Sequence, residues 1–573
     1  MESTRNLIIA VIMATLILFA WQFFYEKPIL EAKQKQATIA TQSSDSSQTP
    51  EISSSQSNQQ IALPSRIDEI KNVPRIKVNT PTLQGSISLV GARIDDIILP
   101  KYSVDTNPDS PPVTLLSPAK TEKAYFAEFG WLTNTDLDLP NSQTLWRSDK
   151  DTLVANSKVT LSWLNKQGVK FMIELFLDED YMLSMKQIVS NTSDHTIAYY
   201  NYGLISRYEE PGKKFFISHE GAIGVFNKIL NETNYDDLKK DKKIDFKNNA
   251  SGSWFGLSDK YWLTAIVPDF TESFDSSFKY TTNKEGSDRF QVDFITQKQL
   301  LVPGETDSHE LRFFMGAKVL SMLDYYQSYY KLDLFDRAID FGWFYFITKP
   351  MFKALKFFYD FFGNFGLSIL IVTVIVKGVL FPLASKSYKS MNRMKELQPE
   401  INRIRELYAN DKLQQNKSIM ELYKKEGVNP LSGCLPLLIQ IPIFFSLYKV
   451  LFVTIEMRQA PFYGWIHDLS APDPTTIFNL FGLIPWQPPS LLMIGVWPIL
   501  MGITMYVQQQ LNPQPADPVQ AKMMKMLPLL FLFMFSSFPA GLVIYWAWSN
   551  ILSILQQWLL QRPGKMAGVS KIG

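Results

Sequence analysis

The residues in this chain with the strongest chemistry are few and mostly isolated. Its four histidines are His195, His219, His309 and His467. His219-Glu220 and His309-Glu310 each open an H-E-x-x-H pattern, but the fifth positions are Ile223 and Phe313. A zinc protease needs two histidines one turn apart on a helix, so neither string supplies the second ligand. Cys434 is the only cysteine, which excludes an intramolecular disulfide and a Cys-based metal cluster. No G-x-x-x-x-G-K-[ST] string offers a phosphate cradle, so a P-loop energy source is absent. No cofactor and no enzymatic reaction are expected.

A different kind of site stands out. Lys377 interrupts the apolar run GLSILIVTVIVKGVLFPL, near the middle of an expected membrane span. A charge there costs about 2.5–3.5 kcal/mol on insertion scales and normally faces protein or water. Thr373 lies one turn earlier on the same helical face. Other apolar runs contribute Gln440 in LLIQIPIF, Gln508 and Gln509 in MYVQQQ, and Ser549 and Asn550 near Tyr545 and Trp546. Apart from Glu456 at a boundary, those runs hold no acidic residue, which favours a hydrated cavity around Lys377 over a buried ion pair. Snorkelling of the long side chain to the cytoplasmic interface is the competing reading.

The elements that must position these groups are helical. Apolar runs fall at about 365–384, 433–455, 490–511, 523–538 and 541–560, the last two separated by the tight turn Phe538-Pro539-Ala540-Gly541. At the other end, Asn6 to Tyr25 is an uncharged run of 20 residues, enough to cross a bilayer core of roughly 30 Å. It ends in Trp21, Phe23, Phe24 and Tyr25 with no small-residue cleavage site, so residues 1–25 read as an uncleaved anchor. Six transmembrane helices follow, in an α-helical polytopic membrane protein. Residues 26–66, rich in Gln, Ser and Thr, read as a flexible linker. Residues 67–320 switch to period two: Val169, Phe171, Ile173, Leu175 and Leu177 share one face, and a second such strand follows the turn Asp178-Glu179-Asp180. This inserted domain is expected to be an all-β sandwich. Between 332 and 364, Lys353, Lys356 and Asp360 form one stripe among aromatics, the pattern of an interfacial amphipathic helix.

Charge distribution sets the orientation. The chain carries 57 Lys and Arg against 55 Asp and Glu, so its net charge of +2 gives no pull toward nucleic acid. Yet the 385–431 loop holds ten basic residues, whereas 456–489 holds only Arg458. Basic loops stay in the cytoplasm. Both termini, including the tail 561–573, are then cytoplasmic and the β domain is outside. Met391, Met394, Ile401, Ile404 and Tyr408 follow helical spacing, Asn410-Asp411 interrupts it, and a second amphipathic stretch carries Leu413, Met420 and Tyr423. The 385–431 loop is therefore a basic helical hairpin suited to a partner or to anionic lipids.

The strings KGVLFPL, KEGVNPLSGCLPLLIQIPIFFSLY, EMRQAPFYGWIHDLSAPDP and FPAGLVIYWAWSN, in this order over the C-terminal 230 residues, resemble the signature of the YidC family of membrane protein insertases. The layout resembles its Gram-negative members, with a periplasmic β-supersandwich and a five-helix core over 365–560. The resemblance implies a hydrophilic groove, open to cytoplasm and lipid, that moves nascent membrane proteins into the inner membrane. It implies Lys377 as the central cation, with Thr373, Gln440, Gln509, Tyr545 and Trp546 along the groove. Implied partners are nascent membrane proteins, the Sec translocon, the ribosome and signal-recognition components. Lys377 stands where the bacterial family usually has Arg, and Trp546 where a second Tyr is common. A secondary transporter or channel using Lys377 as substrate or proton site is the alternative, and the absence of an evident inverted repeat argues against it.

Overall fold

The computed structural model describes residues 64–561 apart from 212–217, 249–250, 269–272, 283–285, 429–434, 483, 485, 487, 490–492 and 513–517. The expected anchor at 1–25, nearly all of the linker and most of the tail lie outside the described residues. Two compact units divide the rest, one ending at Asp340 and the other beginning at Phe341.

The first unit opens with a short helix, α1 (Arg66–Lys71), capped by the Ser65 side chain, and continues as strands up to Ala317. Alternating side chains dictate the architecture. In Val169–Leu177 every second residue from Val169 is buried, while Lys170 and Phe176 face outward. Such a strand must lay one face on a core. Among the described residues two sheets, of eleven and nine strands, supply it. In the larger, Ile197–Tyr208 pairs antiparallel with Tyr125–Leu132 and Asp288–Thr296; in the smaller, Thr306–Ala317 lies between Met182–Asn191 and Trp262–Pro268. Rings from the two sheets meet between them. Phe129 meets Phe313 edge-on at 5.7 Å, Phe226 stacks on Phe246 at 4.3 Å, and Phe255 meets Phe294 at 6.1 Å. Such aromatic pairs add about 0.5–1.5 kcal/mol each beyond their burial. Gly256 shows how closely the strands approach, since a Cβ there would lie 1.8 Å from the Thr264 carbonyl oxygen. Two helices complete the unit, α2 (Tyr235–Asp241) and α3 (Leu320–Tyr329).

The expected helix over 332–364 is continuous only as α4 (Tyr345–Phe362). Upstream, Phe335 sits in a 3-10 turn and packs edge-on against Trp254 at 5.0 Å and Phe314 at 5.6 Å, which ties that segment to the β core. On α4, Met351, Phe352 and Leu355 are buried, whereas Lys353 and Asp360 are exposed together with Phe346, Phe357 and Phe361.

The second unit continues with α5 (Phe365–Val379), α6 (Phe381–Glu396), α7 (Gln398–Leu407), α8 (Lys412–Lys425), α9 (Leu435–Val453), α10 (Val496–Leu511), α11 (Pro518–Phe535) and α12 (Ala540–Gln561). Asp411 ends the interruption between α7 and α8 by accepting hydrogen bonds from the Leu413 and Gln414 amides. Ile401, Ile419, Leu422, Tyr423 and Val428 give this hairpin its own small core. Among the described residues no single helix is long and apolar enough to cross a membrane, and α5 and α6 pass only as a pair bent by 66°. Helix length alone therefore does not give six crossings.

The bend moves Lys377. The apolar run suggested a mid-span position, but α5 stops at Val379, so Lys377 lies in its last turn. Pro382 is the cause: it has no N–H to donate and fits the first turn of a new helix, α6, rather than the interior of a longer one. A cation in the last turn is also favoured by the helix dipole.

Candidate functional site

The site is assembled on α12. Tyr545, Ser549, Ser553 and Gln557 recur at steps of four, which places them one above another on a single helical face. All four are buried within the helical unit. The helix packs against α5 and α10.

The loop after α9 fixes where α12 begins. The Ala540 amide donates to the Ala471 carbonyl at 2.7 Å and the Gly541 amide to the Leu469 carbonyl at 3.0 Å. These contacts satisfy donors that a helix start leaves open. A Cβ on Gly541 would come within 2.9 Å of Leu451, so glycine permits the close approach. The same loop caps α10, because the Asp473 carboxylate accepts from the Trp497 amide at 3.0 Å and also holds Thr475 and the Trp465 indole.

Polar side chains then cross between helices. The Lys377 ammonium donates to the Ser553 hydroxyl at 2.9 Å. The Gln556 amide donates to the Lys377 carbonyl at 3.4 Å, and the Trp548 indole to the Leu370 carbonyl at 3.2 Å, both on α5. One turn before Lys377, Thr373 is buried and donates to the Ile369 carbonyl of its own helix at 2.6 Å. From α9, the Gln440 amide donates to the Tyr545 hydroxyl. On the α10 side, Asn550 donates to the Thr504 hydroxyl at 3.3 Å, and Gln557 to the Leu511 carbonyl at 3.1 Å. A buried polar group without a partner costs about 1–3 kcal/mol, so these contacts orient the helices as well as satisfy them.

Lys377, Gln440 and Tyr545 therefore lie along one polar line on α12, with Thr373 a turn from Lys377. Two expected residues are placed differently. Gln509 is half-buried near the end of α10, where its carbonyl accepts from the Asn512 amide. Trp546 points away from the line into an aromatic cluster, with Phe444 at 4.8 Å, Phe535 at 5.0 Å and Phe531 at 5.9 Å. Ser553, Gln556 and Gln557 were not singled out from the sequence. The step of four from Tyr545 through Ser549 was the signal that could have found Ser553 and Gln557.

Among the described residues no group of three His, Cys, Asp or Glu is placed to hold a metal ion. The arrangement sets a cation, amides and hydroxyls in an apolar bundle.

In the chain, an apolar helical module crossed by a polar line follows a two-sheet β domain. The family described as 60Kd inner membrane protein matches residues 357–567, and the one described as YidC periplasmic domain matches residues 75–354. The chain belongs to the YidC family of membrane protein insertases, inner-membrane proteins with a periplasmic domain. It is 52% identical to the membrane protein insertase YidC of Rickettsia bellii, over 98% of this chain and 99% of that one. To the protein of the same name from Rickettsia felis it is 53% identical, over 97% and 99%. A crystal structure of an active YidC insertase with its first transmembrane domain resolved is 17% identical, covering 84% of this chain and 93% of that chain with a TM-score of 0.36.

Proposed function

We propose that this chain inserts nascent membrane proteins into the inner membrane by lending them a polar path along α12. The observation that carries this reading is the Lys377–Ser553 contact inside an otherwise apolar helical unit. A client segment entering the bilayer must carry its polar flank part-way across, and an unpaired polar group in hydrocarbon costs several kcal/mol. A groove holding an ammonium, amides and hydroxyls lowers that cost, while the apolar side releases the client's own span to lipid. No covalent step or nucleotide is required.

Six crossings fit this role: the anchor at 1–25 and the five apolar runs between 365 and 560, with the α5–α6 bend inside the second. The positive-inside pattern puts both termini and the 385–431 hairpin in the cytoplasm and the β domain in the periplasm. The Sec translocon, the ribosome and signal-recognition components are proposed partners, and the basic hairpin suits anionic lipids. A transporter or channel reading rests on Lys377 alone, and kinship with insertases favours insertion.

Lys377 variants test the groove. Lys377→Arg keeps the charge and is expected to keep activity. Lys377→Leu is expected to weaken insertion about ten-fold for clients with acidic translocated segments, if the ammonium contributes on the order of 1.4 kcal/mol to their passage. Lys377→Glu is expected to be worse for the same clients, because like charges repel strongly at low effective dielectric. Vesicle insertion assays, normalised to protein level, measure this. Normal accumulation with wild-type insertion of every client by Lys377→Leu and Lys377→Glu would reduce Lys377 to a snorkelling residue.

A further inference from the structure

The grip on Lys377 has a chemical logic of its own. A serine hydroxyl carries one donor and two acceptor sites. Ser553 donates to the Ser549 carbonyl one turn back at 2.9 Å, so its oxygen is left to accept. It accepts from the Lys377 ammonium at 2.9 Å. These two contacts use the donor of the hydroxyl and one of its two acceptor sites. Ser553 therefore joins the last turn of α5 to α12. The Gln556 amide on the Lys377 carbonyl adds a second hold on the same residue, through its backbone.

We infer that Ser553 is a positioning residue for insertion, holding the Lys377 ammonium at a fixed height on α12 without neutralising it. The inference rests on the groove reading of Lys377 given above. A carboxylate at this place would hold the ammonium more tightly, but it would cancel the charge that draws an acidic client segment. A hydroxyl fixes one of the three ammonium N–H groups and leaves the charge whole. The other N–H groups can turn to water or to a passing carboxylate. Lysine is a point charge on a flexible stem, without the rigid fork of arginine, so a fixed acceptor supplies the placement that the side chain itself lacks.

The test is a double-mutant cycle on the full chain reconstituted in vesicles. It uses two small single-span clients that differ only in whether the translocated segment carries Asp residues or Asn residues. Ser553→Ala is expected to slow the acidic client about five-fold, the factor for one hydrogen bond, and to leave the neutral client within about two-fold. Ser553→Thr, which keeps the hydroxyl, restores the acidic client. Ser553→Asp keeps a partner but neutralises the cation, and is expected to lose the preference for the acidic client. In a Lys377→Leu background, Ser553→Ala adds no further loss, because nothing is left to position. Protein level and the protease-resistant pattern are recorded for each variant, and the ratio between the two clients is insensitive to how much protein folds. Equal losses for both clients, or the same loss with and without Lys377, would make Ser553 a packing residue and overturn the inference. Wild-type insertion by Ser553→Ala would overturn it too. If Lys377→Leu alone inserts both clients at the wild-type rate, the groove reading falls and this inference with it, which separates the two failures.

Discussion

The Gln440 amide and the Tyr545 phenol meet across α9 and α12, whose neighbouring side chains are largely apolar. Each is the other's solution to burial, and removing one strands the other. Tyr545→Phe keeps the ring and its packing but leaves the amide unpaired, so a loss of about 1–3 kcal/mol is expected. Gln440→Leu made on top of Tyr545→Phe should cost little more, because the stranded group is gone. Unfolding in detergent, read by near-ultraviolet signals, checks both. At this scale the sequence was informative where a residue clashed with its surroundings. Lys377 and Gln440 are conspicuous in apolar strings. Ser553 is not, because a serine among leucines is ordinary, and its partner Lys377 is far away in the chain. The direction of Trp546 was equally hidden, since its cluster draws on Phe444 of α9 and on Phe531 and Phe535 of α11.

Elements obey patterns that are local, and these were largely legible. Strand Val169–Leu177, paired on both sides within its sheet, buries every second residue because only one face of that sheet lies on the core. Asn410-Asp411 broke a helical period in the sequence and lies between two helices in the fold, where Asp411 caps the start of α8. The α5–α6 bend was missed because apolarity continues through it and only Pro382 marks the break. Burial also gives the β elements a pH signature. The end of strand Thr306–Ala317 leads into Lys318, 1% exposed, whose ammonium donates to the Ser258 hydroxyl at 3.1 Å. Burial pushes Lys318 down to about 8, against the attraction of Asp259, Asp340, Glu220 and Glu232. Burial, then the charge of Asp259, pushes Glu220 up to about 7. Folded Glu220 binds more protons than unfolded Glu220 between its ordinary 4.5 and about 7, so its contribution to stability is lost as pH rises through that window. For Lys318 the unfolded chain binds more protons between about 8 and its ordinary 10.5, so stability rises with pH there. His219 is lowered by burial and opposes the Glu220 limb below its ordinary 6.5, so the difference between variants is the clean reading. Glu220→Gln is expected to remove a falling limb between pH 4.5 and 7, and Lys318→Met a rising limb between 8 and 10.5. Hydrogen exchange of the Thr306–Ala317 amides in the full chain, followed against pH, measures both; unchanged slopes would show that these groups are solvated.

At the scale of the whole molecule, the chain joins a unit built on period two to one built on apolar helices, and that division was plain in the hydropathy pattern. Orientation is a matter of charge. External protease applied to spheroplasts is expected to cut within the linker and again after the β unit, releasing a folded fragment from about Ser65 to about Asp340, while the 385–431 hairpin stays intact. Cleavage of that hairpin from outside would invert the proposed topology. The claim on which the rest depends is that a client passes along the polar face of α12. It is tested most directly by a photo-crosslinker placed at Tyr545 during translation of a small membrane protein, beside the same probe at Leu530, which is 60% exposed on α11. The groove reading calls for adducts at residue 545 that appear as the client's first span emerges and vanish once it is released, well above those at residue 530. Equal adducts at the two positions, or none at 545 while insertion proceeds at its normal rate, would contradict it.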